Sequence, residues 1–242
     1  MSPRRHLLFA GTIWIVLSAI GIVLVSGMQI MPRIASKEAV IENDAFVLLS
    51  VLSVPVLLFV VVGLAYSAWK FRATDQTTDG PPVHEHRGFQ AIWVGISFIL
   101  VLVLFGYGTV GLLAIRGDQK ADFEVRVEGE QWHWDYYYGS GASSSELHIP
   151  VNTRVHLIID SGDVIHSFWV PALGVKQDAV PGLITQIYVT ATETGTFPAM
   201  CAELCGFGHT GMTTTVVVAD RAAVDAWISQ QPMPSPGLTP KP

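Results

Sequence analysis

Cys201-Ala202-Glu203-Leu204-Cys205-Gly206-Phe207-Gly208-His209-Thr210-Gly211-Met212 is the stretch on which the reading of the chain turns, with His166 as its upstream partner. Two thiols, an imidazole and a thioether within a dozen residues are the donor types that copper prefers over zinc, magnesium or calcium. Cys201 and Cys205 are the only two cysteines, and a structural disulfide between them is the ordinary reading for an exported domain. A mononuclear blue-copper site is a second reading. It needs two His, one Cys and a weak axial Met, which His166, His209, Met212 and one of the cysteines supply, and it leaves the other cysteine without a role. In a third reading both sulfurs bridge two copper ions. Each ion then takes one imidazole and shares both thiolates, while Met212 and a backbone carbonyl fill the weak positions, so every soft group is used.

Donors at position 166 and at 201–212 meet only if the fold brings them together. From Asp122 onward the pattern is one of short alternating or β-branched runs: Phe123 to Glu128, Arg154 to Ile159, Ile184 to Thr190 and Thr213 to Ala219. Turn signals at Gly139-Ser140-Gly141, Ser161-Gly162 and Pro181-Gly182 separate them. Such spacing predicts an antiparallel sandwich or barrel of about 100 residues, with the donors on neighbouring loops at one end.

The rest of the chain is of another kind. Half of its 242 residues are hydrophobic and its mean hydropathy is +0.43, more apolar than a soluble protein of this size. Residues 7–31 carry no charge and follow Arg4-Arg5, which fits a signal peptide or a first membrane helix. The run is longer than a usual signal-peptide core and the small-residue cleavage pattern near Ser26-Gly27 is weak, so an uncleaved helix is expected. Ala45 to Trp69 and Phe89 to Ile115 are two further uncharged runs, and about 25 residues at 1.5 Å each cross a hydrocarbon core of about 30 Å. Pro55 should bend the first of these, and Tyr66 and Trp69 suit an interfacial belt. Lys70, Arg72 and Arg87 in the intervening loop, with Arg4 and Arg5, put that loop in the cytoplasm and everything after Arg116 outside. His84-Glu85-His86 lies in this polar loop, where adjacent residues lack ligand geometry.

The expected organisation is therefore a membrane-anchored α plus all-β chain. Residues 1–44 form an N-terminal membrane helix or signal segment with an outer linker, 45–118 a transmembrane helical hairpin, 119–231 the extracytoplasmic β domain, and 232–242 a Pro-rich flexible tail. Net charge is −6, and residues 120–242 hold 6 basic against 13 acidic residues. The acidity thus belongs to the β domain, where it opposes nucleic-acid binding and can steer a basic protein partner. No Cys-x-x-Cys-His occurs, so the chain carries no c-type haem attachment of its own.

His166-Ser167-Phe168 followed by Cys-x-Glu-x-Cys-x-x-x-His-x-x-Met resembles the binuclear copper (CuA) site of cytochrome c oxidase subunit II, over about residues 45 to 230. The resemblance implies a cupredoxin-like sandwich in which Cys201 and Cys205 bridge two copper ions. One ion would add His166 and Met212, the other His209 and the carbonyl of Glu203. The Glu203 carboxylate would point toward a magnesium ion shared with subunit I. By the same resemblance the function is to accept electrons from cytochrome c and pass them to haem in subunit I. That partner, with subunit III beside it, would reduce dioxygen to water and translocate protons.

Gln131-Trp132-His133-Trp134-Asp135-Tyr136-Tyr137-Tyr138 is the most aromatic stretch. Four of its six rings are expected to pack in a core strand. The resemblance marks Trp132 as exposed beside the copper site and as the point of electron entry, with Asp163 on the docking face and Lys176 and Asp178 near the contact with subunit I. The chain departs from the family at Gln90, where many relatives have a glutamate at a proton-uptake path, so that role is not carried over. It departs again in its additional N-terminal helix. A quinol-oxidase subunit II shares the fold without the copper ligands, all six of which have counterparts here. A membrane nitric-oxide reductase subunit shares both fold and site.

Overall fold

The structure, a computed structural model, describes residues 3–28, 33–72, 85–117 and 120–233. His84 of the His84-Glu85-His86 run and the tail beyond Met233 lie outside the described residues.

Among the described residues three helices are long and apolar enough to cross a membrane: α1 (Pro3–Gly27), α2 (Lys37–Lys70) and α3 (Arg87–Arg116). Their apolar residues are spread around the helix rather than on one stripe, and α3 has no buried residue at all, as expected where lipid or a partner takes the place of a core. The first two are tied together. The Trp14 indole N–H donates to the Pro55 carbonyl at 2.8 Å, and His6 Nδ1 shares a 2.6 Å hydrogen bond with the Tyr66 hydroxyl. Pro55 lies inside α2.

The second unit comprises residues 112–233 together with 33–43. Ten strands build it: β1 (Phe123–Glu130), β2 (His133–Tyr138), β3 (Ser143–Ser144), β4 (Leu147–Pro150), β5 (Val155–Ser161), β6 (His166–Val170), β7 (Val175–Ala179), β8 (Thr185–Val189), β9 (Gly195–Cys201) and β10 (Thr213–Ala219). They form two five-stranded sheets, ordered β3-β2-β1-β5-β8 and β4-β10-β9-β6-β7. Strict alternation builds the core between them. Val155, Leu157 and Ile159 of β5 are buried, as are Val125 and Val127 of β1, while the residues between them face outward.

The sandwich expected from the sequence is present, and it differs from that expectation in detail. Two of its ladders, β1 with β5 and β4 with β10, run parallel. This is possible because the paired strands are not sequence neighbours and long connections let the chain return in the same direction. In β2, three rings rather than four are buried, namely Trp134, Tyr136 and Tyr138. Period-two alternation leaves Tyr137 on the outer side, and Trp132 and His133 precede the buried part of the strand.

Helix α2 begins at Lys37, eight residues before the uncharged run. The sandwich takes up the buried charge there: Glu38 pairs with Arg154 at 2.7 Å and accepts from the Thr190 amide at 2.9 Å. Ala35 and Ser36 just before it are fully buried. A short helix, α4 (Arg221–Ile228), follows β10 and buries Val224 and Ile228.

Candidate metal centre

β6 starts at His166, β9 ends at Cys201, and the loop from Ala202 to Met212 returns into β10. β6 and β9 pair antiparallel, with Phe168 opposite Cys201. This ladder brings a residue 35 positions upstream to the mouth of the cysteine loop. The loop then closes on itself, because the Cys201 amide donates to the Met212 carbonyl at 3.0 Å. A single turn of 3-10 helix over His209–Gly211 turns His209 back toward Cys205.

Both cysteines are free and buried. Their sulfurs are 3.8 Å apart, far beyond a disulfide bond of about 2.05 Å. Around the pair, His166 Nδ1 lies 3.9 Å from Cys201 Sγ and His209 Nδ1 lies 3.5 Å from Cys205 Sγ. Met212 Sδ lies 3.7 Å from Cys205 Sγ, and the Glu203 carbonyl is 3.2 Å from Cys201 Sγ. Ligand atoms of His166, Cys201 and Cys205 all fall within 4.8 Å of one another. The six donors named from the sequence thus converge, with Met212 and His166 wholly buried. This soft, sulfur-rich set fits copper and is poor for magnesium or calcium.

Asp163 defines the state of His166. Its Oδ1 is 2.8 Å from His166 Nε2, so the imidazole carries its proton on Nε2 and turns the Nδ1 lone pair to the sulfurs. A carboxylate on the far nitrogen is the usual orienting device for a metal-bound histidine. The same carboxylate accepts from the Gln131 amide at 2.8 Å and the Val164 amide at 2.6 Å. Burial alone would raise the Asp163 pKa, but the hydrogen bonds from His166, Val164 and Gln131 outweigh it and hold the carboxyl below its usual range. Asp163, which the resemblance assigned to a docking face, is in the structure a partner of His166. Burial, reinforced by the neighbouring Cys201, pushes the Cys205 thiol up to about 11. A metal ion must displace that proton on binding.

Trp132 sits directly over the loop. Its indole N–H is 3.3 Å from the Cys205 carbonyl, and the ring is 42% exposed. It rests on Gly208, where an added Cβ would come within 2.4 Å of the ring. Several residues here escaped sequence reading. Gln131 Nε2 donates to the same Cys205 carbonyl at 2.7 Å, Gly208 forms the seat of the indole, and Leu204 and Phe207 stand exposed beside the sulfurs at 78% and 101%. Two apolar residues and two glycines between ligands were the available signal for a loop that presents a surface. Lys176 and Asp178 lie on β7 with exposed side chains.

Comparison with known proteins bears on this geometry. The family model described as cytochrome C oxidase subunit II, periplasmic domain, matches residues 138–219, a span that holds all six donors. Cytochrome c oxidase subunit 2 of Cereibacter sphaeroides is 28% identical over 77% of this chain and 74% of the relative. The chain is similar to cytochrome c oxidase subunit II over most of its length. The subunit 2 of Alkalihalophilus pseudofirmus is 36% identical, over 60% of this chain and 45% of the relative. The periplasmic domain of subunit II of the cytochrome oxidase of Bradyrhizobium japonicum is a structural neighbour with 31% identity and a TM-score of 0.44, covering 46% of this chain and 94% of that one. The family is a component of an oxidoreductase, and the matched domain is a periplasmic one, consistent with a β domain outside the membrane.

Proposed function

We propose that this chain is the electron-entry subunit of a cytochrome c oxidase, holding a binuclear CuA centre through His166, Cys201, Glu203, Cys205, His209 and Met212. The observation that carries the reading is the pair of free sulfurs 3.8 Å apart with an imidazole nitrogen turned toward each. A disulfide would have joined them, and a single blue copper would leave one unused. Two coppers bridged by two thiolates supply an electron-transfer centre whose added charge is spread over both metals, which keeps bond-length changes small.

The chain's own residues do the rest. Trp132, exposed at the rim and hydrogen-bonded to the Cys205 carbonyl, gives a carrier's haem edge a flat contact one bond network away from a sulfur. Leu204 and Phe207 add apolar surface, and the acidic excess of the β domain steers a basic cytochrome c at a rate that falls with ionic strength. Asp163 fixes the His166 tautomer. The Glu203 carbonyl faces the sulfurs while its side chain is exposed, free to reach a magnesium ion shared with subunit I. Subunit I, with subunit III, would take the electron onward for dioxygen reduction and proton translocation.

Three helices long and apolar enough to cross a membrane support this placement, with the N-terminus inside on our reading. Residues 33–43, between α1 and the apolar part of α2, belong to the same unit as the sandwich, and α2 and α3 then make one return passage through the membrane. The four segments 1–44, 45–118, 119–231 and 232–242 remain our division of the chain, with the linker of the first segment packed on the third.

The test is copper reconstitution of the full chain in detergent, since Ala35 and Glu38 are part of the sandwich core. The expected result is two copper ions per chain, an electron paramagnetic resonance spectrum of one electron shared by two nuclei, and reduction by cytochrome c that slows as salt rises. A single copper with a one-nucleus hyperfine pattern would overturn the reading.

A further inference from the structure

We propose that the groove between α1 and α2 binds one anionic phospholipid, with acyl chains between the helices and the phosphate among Arg4, Arg5, Lys70 and Arg72. The two helices are pinned at two points, by Trp14 to the Pro55 carbonyl and by His6 to the Tyr66 hydroxyl. Between the pins three of the facing residues are small, Ala10, Gly11 and Gly63, and Leu7, Phe59 and Val62 complete an apolar wall. A Cβ added to Gly11 or Gly63 would meet nothing within 4 Å, so the helices cannot close on each other there without breaking one of the two hydrogen bonds. A cavity of about 710 Å³ results, lined by Ala10, Gly11, Phe59 and Gly63 among others, with the His6–Tyr66 pair at one end.

In hydrocarbon such a space does not stay empty, because its walls forfeit dispersion contacts on one side. Water is a poor filler, since it needs several polar partners and the walls offer few. An acyl chain meets the requirement.

The headgroup is chosen by charge. α1 starts at Pro3 and α2 ends at Lys70, and the His6 ring lies 5.5 Å from that of Phe71, so these two helix ends are neighbours. Arg4 and Arg5 in the first turn of α1, and Lys70 and Arg72 at the end of α2, therefore lie at the same end of the groove, all four exposed. The sequence has no Asp or Glu in residues 1–37 or 45–74. Basic pockets between membrane helices on the cytoplasmic side suit anionic lipid phosphates. A zwitterionic lipid brings its own cation into the same cluster and is disfavoured.

The experiment uses the full chain, stripped of lipid in mild detergent and returned to nanodiscs of phosphatidylglycerol or phosphatidylcholine, with retained lipid counted by native mass spectrometry. The expected result is one phosphatidylglycerol per chain, retained about tenfold over phosphatidylcholine. The double variant Arg4→Gln, Arg5→Gln should bring the two lipids close to equal, and Gly11→Leu should expel both. Copper content of the β domain checks that each variant is folded. Equal retention of the two headgroups by the unaltered chain would overturn the proposal. So would unchanged retention in Gly11→Leu, as for a lipid bound elsewhere, or an intact mass showing that the mature chain lacks α1. Loss of the preference in millimolar inorganic phosphate would assign the cations to free phosphate instead and equally overturn it.

Discussion

The metal centre has two parts that differ in how they are built. The loop from Cys201 to Met212 carries five of the six donors within twelve residues and holds its own shape through the Cys201 amide to Met212 carbonyl bond. The other part is assembled from a distance: His166 opens β6, Asp163 precedes it, and Gln131 and Trp132 come from the turn between β1 and β2. The loop supplies donors, whereas the distant part orients one donor and covers the site. Substitutions in the loop should therefore remove the metal, and substitutions of Asp163, Gln131 or Trp132 should leave it bound but weaker or less well connected. The largest effect is expected for Cys205→Ser, which on the proposed reading removes a bridge. Copper should fall from two per chain to about one or none, and the shared-electron spectrum should vanish. Retention of two coppers by this variant would break the comparison.

Asp163→Asn tests the other part. It keeps all six donors and withdraws the carboxylate from His166 Nε2, so copper affinity should drop about 10- to 100-fold in a chelator competition. The spectrum of the copper that remains should still show two equivalent nuclei. Gly208→Ala should act more narrowly. The new Cβ would press on the Trp132 ring at 2.4 Å, and relieving that overlap costs about 1–3 kcal/mol. The indole must shift from the Cys205 carbonyl, so reduction by cytochrome c should slow at unchanged copper content. A loss of copper as large as in Cys205→Ser would show instead that the indole's seat is part of the loop's own fold.

This division matches what could be read from the amino-acid sequence. Hydropathy located the three helices long and apolar enough to cross a membrane, because each holds a charge-free run of about 25 residues. The cysteine loop was legible because its donors share one short segment with fixed spacing. Period-two alternation located β1, β5, β8 and β10, whose cores are regular. It missed β7 and β9, where Lys176, Asp178 and Pro198 interrupt the pattern, and the short strands β3, β4 and β6, and it could not reveal that β1 and β5 run parallel. Nor could it show that Asp163 grips His166, or that Gln131 and Trp132 share the Cys205 carbonyl. Those contacts depend on which turns meet at the sandwich rim, and meeting is a property of topology rather than of local sequence. The start of α2 was placed too late for a related reason: Lys37, Glu38 and Glu42 look like a helix stop until Arg154, far along the chain, is seen to pair with Glu38.

The sandwich itself should be indifferent to both parts of the site, and His148 offers a way to see this. It lies on β4, its ring stacked 3.4 Å from that of Trp227 on α4, with Nε2 3.5 Å from a Glu146 carboxylate oxygen. Burial lowers its pKa, and Glu146 opposes the shift only in part. An unfolded chain takes up the proton near the ordinary value of about 6.5, while the folded chain resists it. Stability is then full above that value, declines as pH falls from it toward the lowered folded pKa, and levels off below. The melting temperature of the metal-free chain should thus drop by a few degrees at most between about pH 7.5 and pH 5.5. His148→Phe should remove part of that slope while preserving the ring stack. A slope equal in the variant and the unaltered chain would mean that the proton is taken up elsewhere. A change that appeared only with copper bound would tie the far edge of β4 to the metal loop, and the independence of scaffold and site would fail.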